Sequence, residues 1–82
     1  MINDNLKQKI LPHLKRRLYK RTKEEIEWMF GEAYETTEDG ITYVTIRPPA
    51  DTTLGGFQFN KLTGAFHTVV NWRDIRRYGK RL

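Results

Sequence analysis

With 82 residues the chain has room for one domain and one hydrophobic core, and at this size only about 60 to 65% of the unfolded surface is buried on folding. An apolar fraction of 38% with two Trp, four Tyr and four Phe points to a folded chain, and the absence of Cys excludes a disulfide framework and a thiolate metal site. No apolar stretch approaches the roughly 18 residues of a membrane span, and the polar start Met1 to Asn5 lacks the apolar run of a secretory signal, so a cytoplasmic protein is expected.

The formal charge of +5 is unevenly laid out. Residues 1–23 carry eight Lys/Arg against one Asp, residues 24–39 carry seven acids and no base, and residues 71–82 carry five Lys/Arg against one Asp. A basic surface clustered in this way is the electrostatic footprint of a polyanion partner, whereas interspersed charge serves solubility.

In chain order, Asn3, Asp4 or Asn5 can cap a first helix whose apolar positions Leu6, Ile10, Leu11, Leu14 and Leu18 recur at spacings of three and four. Pro12 removes one hydrogen bond, but the apolar stripe keeps phase across it, which predicts a kinked, continuous helix. Thr22-Lys23-Glu24-Glu25 fits a capping box for a second helix with Ile26, Met29, Phe30 and Ala33 on one face and Gly31 as a candidate stop. Tyr34 to Glu38 and Ile41 to Arg47 flank Asp39-Gly40, a strong hairpin signal. Pro48-Pro49 ends the ladder, and residues 48–56 read as a loop closing on Gly55-Gly56. Phe57 to Phe59 and Ala65 to Val70, joined by a turn carrying Gly64, form a second hairpin, and Asn71 caps a final helix, Trp72 to Tyr78, which Gly79 can close. Residues 1–82 are thus expected to form a single α+β domain: two N-terminal helices, a four-stranded antiparallel meander and a short basic C-terminal helix.

At about 100° per residue, Lys9, His13, Arg16 and Lys20 share one stripe of the first helix. The stripe can lie along a phosphate backbone, or Glu24, Glu25, Glu27 and Glu32 of an antiparallel second helix can mask it. On the last helix Trp72, Ile75 and Tyr78 occupy one side, to dock on the sheet, while Arg73, Arg76, Arg77, Lys80 and Arg81 cover the other. Arginine's planar fork suits bidentate phosphate contact. Trp28 falls on the polar arc of the second helix, either as a protein-interface anchor or covered by a neighbour in its own domain.

Catalytic signals are sparse. No metal-ligand spacing and no phosphate loop is present, so neither a metal nor a cofactor is expected. The order of helices followed by a four-stranded meander is similar to that of small bacterial ribonucleases and ribonuclease toxins of the barnase and RelE type. That likeness is one of topology, without a residue-by-residue motif. A His, an Arg and a carboxylate on one sheet face, with His67 and Arg47 as the first two, would suffice for a metal-independent endoribonuclease, the base taking a 2′-hydroxyl proton and the Arg steadying the phosphorane; a lone strand His is more often a cross-strand pairing residue.

The reading that follows is a small basic protein that binds nucleic acid, RNA or single strands, through its phosphates and without sequence specificity. Its contact residues would be Arg73, Arg76, Arg77, Lys80 and Arg81, with Lys9, Arg16 and Lys20 as a second patch. A protein-binding regulator using the acidic helix and Trp28 is the alternative, and the His67 ribonuclease a second one. Oligomeric state stays open.

Overall fold

In the computed structural model, which describes residues 2–49 and 55–82, Asn3 opens helix α1 (Asp4–Arg17) by accepting a hydrogen bond from the Leu6 backbone N–H at 2.9 Å. Pro12 lies inside α1, as its unbroken stripe predicts. Both Pro12 and Gln8, whose carbonyl the proline leaves without a helical donor, are exposed, so water can take the missing place. The helix stops one residue short of the predicted stripe: Leu18 is its C-cap, which puts Lys20 in the following turn and off the helical face it was expected to share.

Helix α2 (Lys23–Phe30) starts at Thr22, whose hydroxyl accepts from the Glu25 N–H at 3.1 Å, and ends at Gly31. The Glu25 carboxylate is held by Arg21 at 3.1 Å. Ala33, placed with the helix by periodicity, opens strand β1 (Ala33–Glu38) instead.

Strand β2 (Ile41–Ile46) returns through Asp39 and Gly40 at φ of 51° and 79°, the positive values a tight two-residue hairpin turn requires. Strands β3 (Gly56–Asn60) and β4 (Phe66–Val70) follow. Of the loop predicted for residues 48–56, Pro48 and Pro49 lie outside the strands, Gly56 already belongs to β3, and 50–54 fall outside the described residues. Helix α3 (Trp72–Tyr78) is capped by Asn71, which accepts from the Asp74 N–H at 3.2 Å.

The protein is α+β with a five-stranded antiparallel sheet of order β4-β3-β2-β1-β5. The fifth strand corrects the predicted meander: Lys80–Arg81, read as a basic extension of the last helix, forms β5 on the free edge of β1, with Tyr34 opposite Arg81 and Glu35 opposite Lys80. Gly79 makes this turn tight, since a Cβ there would lie 2.7 Å from the Ile75 carbonyl oxygen and 3.0 Å from the Tyr34 Cβ.

Alternation sorts the sheet into two faces. Ala33, Val44, Ile46, Phe57 and Phe59 share one, where Leu6, Ile10 and Leu14 of α1 and Ile26, Met29 and Phe30 of α2 pack on them to form the core. Tyr34, Tyr43, Thr45 and Gln58 share the other, all buried, and α3 crosses it with Ile75 turned inward and Trp72 edge-on to Tyr34 at 5.5 Å. Tyr78 does not join them: it is 75% exposed, contrary to its place on the helical wheel, because α3 ends there as the chain turns into β5.

Candidate nucleic-acid interface

The turn between β3 and β4 sets the geometry of the first basic surface. Asn60 Oδ1 accepts from the backbone N–H groups of Leu62 and Thr63 at 2.9 and 3.1 Å, and the Gly64 N–H donates to the Asn60 carbonyl at 2.7 Å. Gly64 sits at φ 78° directly against α1: a Cβ on it would lie 2.5 Å from the Lys9 carbonyl carbon and oxygen. The Lys9 ammonium reaches over the turn to the Leu62 carbonyl at 3.2 Å. This close approach brings the start of β4 alongside the second half of α1.

There Phe66 stands between two core rings, edge-on to Phe57 at 6.1 Å and to Phe59 at 5.8 Å. The Arg17 guanidinium lies over Phe66 with its central carbon 3.5 Å from the ring centroid. At that separation the guanidinium must lie flat, because edge-on it would drive a nitrogen into the ring. His13, Arg16, Arg17, Ala65 and Phe66 line an open cavity of about 320 Å³.

Of the two alternatives for this surface, the mask by the acids of α2 does not form among the described residues. Glu27 pairs with Lys7 at 3.1 Å and Glu25 with Arg21 at 3.1 Å, neither of them on the stripe, and Glu32 pairs with Arg76 at the other end of the chain. Among the described residues Lys9, Arg16, Arg17 and Lys20 make no ion pair. Lys20 instead lies 5.7 Å from the ring of Tyr19, itself 75% exposed.

The second basic surface is more constrained than its sequence implies. Arg76, expected on the open basic arc of the last helix, is tied at 3.2 Å to Glu32, a residue whose side chain is only 16% exposed and also accepts from the Tyr34 hydroxyl at 2.9 Å. Arg73, Arg77, Lys80 and Arg81 are exposed and make no ion pair among the described residues, and the exposed Tyr78 ring stands among them in sequence. Since α3 and α1 pack on opposite sheet faces, Arg73 and Arg77 belong to the layer opposite α1, while Lys80 and Arg81 alternate along the β5 edge, Lys80 on the face of Glu35 and Arg81 on that of Tyr34.

His67 and Arg47 are not brought together. His67 stacks on Tyr43 with ring centroids 4.5 Å apart, whereas the Arg47 guanidinium lies 4.1 Å from the Trp28 centroid. Tyr43 and Arg47 are four residues apart along one extended chain, about 13 Å at 3.3 Å per residue. Trp28, the interface candidate, is 43% exposed and partly covered by Arg47, whose buried Nε makes no hydrogen bond among the described residues. Among the described residues no cluster of three or more His, Asp or Glu side chains could hold a metal ion, and no helix is long and apolar enough to cross a membrane.

Sequence reasoning missed Arg17 and Phe66. Arg17 is legible after the fact, being four residues from His13 on the same helical face. Phe66 is not, because only the packing of Gly64 on α1 places it there. Compared with protein-family models, with curated proteins and with solved structures, the chain finds no match.

Proposed function

We propose that the protein binds single-stranded nucleic acid, RNA foremost, by contacting its phosphates without reading base sequence. The observation that carries this is a group of exposed cations left without an acidic partner among the described residues: Lys9, Arg16 and Arg17 on α1 with Lys20 in the turn after it, and Arg73, Arg77, Lys80 and Arg81 at the C-terminal end. Four other cations, Arg21, Lys7, Arg76 and Lys61, are neutralised by Glu25, Glu27, Glu32 and Glu35, so these four acids are not available to the unpaired ones. Phosphate contacts give affinity and register without base identity.

Aromatic rings favour a single strand over a duplex. Tyr19 and Tyr78 are each 75% exposed and adjacent in sequence to Lys20 and Arg77, and Phe66 underlies Arg17. Combined cations and exposed rings suit splayed bases, which can stack, whereas a duplex hides its base faces. Among the described residues no helix carries the Asn/Gln/Arg cluster of a major-groove reader.

Gel filtration of the freshly purified protein at low and at high salt, with absorbance read at 260 and 280 nm, tests the reading. Nucleic acid should travel with the protein at low salt and separate at high salt. A low-salt preparation free of nucleic acid that also leaves added single-stranded RNA at its own elution volume would refute it.

A further inference from the structure

We propose that the cavity between the second half of α1 and the start of β4 holds one nucleotide unit of a bound single strand, with the base stacked on the outer face of Arg17 and its phosphate held by Arg16 and His13. This rests on the single-strand reading above and commits it to one of the two basic surfaces.

Preorganisation is the first argument. A free arginine side chain gives up rotamer freedom when it binds, but Arg17 is already laid flat on Phe66 at 3.5 Å, and Phe66 is fixed edge-on by Phe57 and Phe59. A planar guanidinium held in this way extends an aromatic stack outward by one layer, and its solvent side is a surface on which a base can lie.

The second argument is spacing. His13 and Arg17 are one helical turn apart, and Arg16 lies three residues from His13, so all three project toward the same cavity, which they line with Ala65 and Phe66. Its volume of about 320 Å³ is at the lower end of the roughly 300–1,000 Å³ typical of small-ligand sites, which suits one nucleotide and not a duplex.

Charge is the third. The α1 C-terminus carries a partial negative charge of about half a unit, unfavourable to an anion, but Lys15, Arg16 and Arg17 occupy that last turn and reverse its sign. Neither Arg16 nor Arg17 is paired with an acid among the described residues. The C-terminal surface, by contrast, has lost Arg76 to Glu32; of the cavities beside it, one of about 610 Å³ is lined among the described residues by a single cation, Arg73, and another by Glu38 and Asp74 together with Tyr78, so neither gathers two cations and a histidine as the α1 cavity does.

The test uses the full chain, ¹⁵N-labelled, titrated with a short oligouridylate, with uridine 5′-monophosphate, with inorganic phosphate and with an oligoglutamate peptide. Expected are resonance shifts concentrated at residues 13, 16–17 and 65–66 with the oligouridylate, and weaker shifts at the same residues with the mononucleotide. Loss of one base stack weakens binding by about five- to 150-fold, so Arg17→Ala should fall in that range. Arg17→Lys keeps the charge without the plane and should be nearly as weak. Because Arg17 is exposed, both variants are expected to fold, which an unchanged backbone spectrum elsewhere would verify.

Oligouridylate shifts at residues 73–81 with Arg17→Lys at wild-type affinity would overturn this site while leaving the single-strand reading intact. No shift with any oligonucleotide would overturn the reading itself. Inorganic phosphate matching the mononucleotide in affinity would remove the base stack, and equal binding of oligoglutamate would assign the cavity to an acidic protein.

Discussion

Gly64 and Gly40 form a matched pair that isolates how tightly the β3–β4 turn is pressed on α1. Both have positive φ, 78° and 79°, so replacing either by Ala incurs the same backbone penalty, about 1–2 kcal/mol, offset by the roughly 0.4–1 kcal/mol that Ala gains by restricting the unfolded chain. They differ in their surroundings. A Cβ at Gly40 meets nothing within 4 Å, whereas one at Gly64 would lie 2.5 Å from main-chain atoms of Lys9, about 0.9 Å inside the 3.4 Å of ordinary contact. Main chain cannot rotate away as a side chain can, so turn and helix must separate by about that distance. Overpacking of this kind costs typically 1–3 kcal/mol. Gly40→Ala should therefore be mildly destabilising and Gly64→Ala worse by 1–3 kcal/mol, a further drop in Tm of roughly 4–24 °C for a domain of this size. Urea and thermal unfolding followed by far-ultraviolet circular dichroism would measure both. Equal losses within about 0.5 kcal/mol would show that the turn does not bear on α1, and the cavity that depends on this contact would lose its physical basis.

Further outcomes are expected. Thr22→Ala should destabilise by about 1 kcal/mol in urea unfolding, because it removes the hydroxyl that accepts from the Glu25 N–H, while Thr22→Ser should keep most of that stability. Arg47→Ala uncovers the ring of Trp28, so Trp fluorescence should shift to longer wavelength and become more accessible to iodide; no change would mean that the stack at 4.1 Å does not shield the ring. Replacing Glu25 and Glu27 by Gln should change RNA affinity by less than twofold, since their partners are Arg21 and Lys7 and not the α1 stripe; a tenfold tightening in filter binding would restore the mask. Arg73→Ala with Arg77→Ala should leave affinity for a short single strand within about twofold and the melting temperature within a degree or two, since the strand lies on the α1 surface; a loss matching that of Arg17→Ala would move the contact to the C-terminal end.

What was legible in the chain was local chemistry. Asn3, Thr22 and Asn71 each cap a helix because a short polar side chain can reach a backbone N–H three residues on, an interaction contained within four residues. Asp39-Gly40 likewise carries its own positive-φ tolerance, so the hairpin needs nothing from the rest of the fold. Apart from element ends displaced by a residue or two, the misses are long-range. Lys80–Arg81 has no strand signature and becomes β5 only because β1 offers an unpaired edge there, and Tyr78 is left in solvent by the same turn. Likewise, Arg76 meets Glu32 across 44 positions of sequence, and Arg17 meets Phe66 across 49. A helical wheel places a cation on a face, but what it faces depends on contacts that periodicity does not encode.

The most direct test of the central claim is fluorescence anisotropy of a labelled single-stranded RNA of about ten nucleotides, titrated with the wild-type protein over a series of salt concentrations. Each neutralised phosphate releases a counterion and contributes a slope of about −0.7 to the logarithm of affinity against the logarithm of salt. Four or five contacts would give a slope near −3, with a matched duplex binding more weakly at every salt concentration. No binding at the lowest salt, or an affinity that stays flat as salt rises, would contradict phosphate recognition by these unpaired cations.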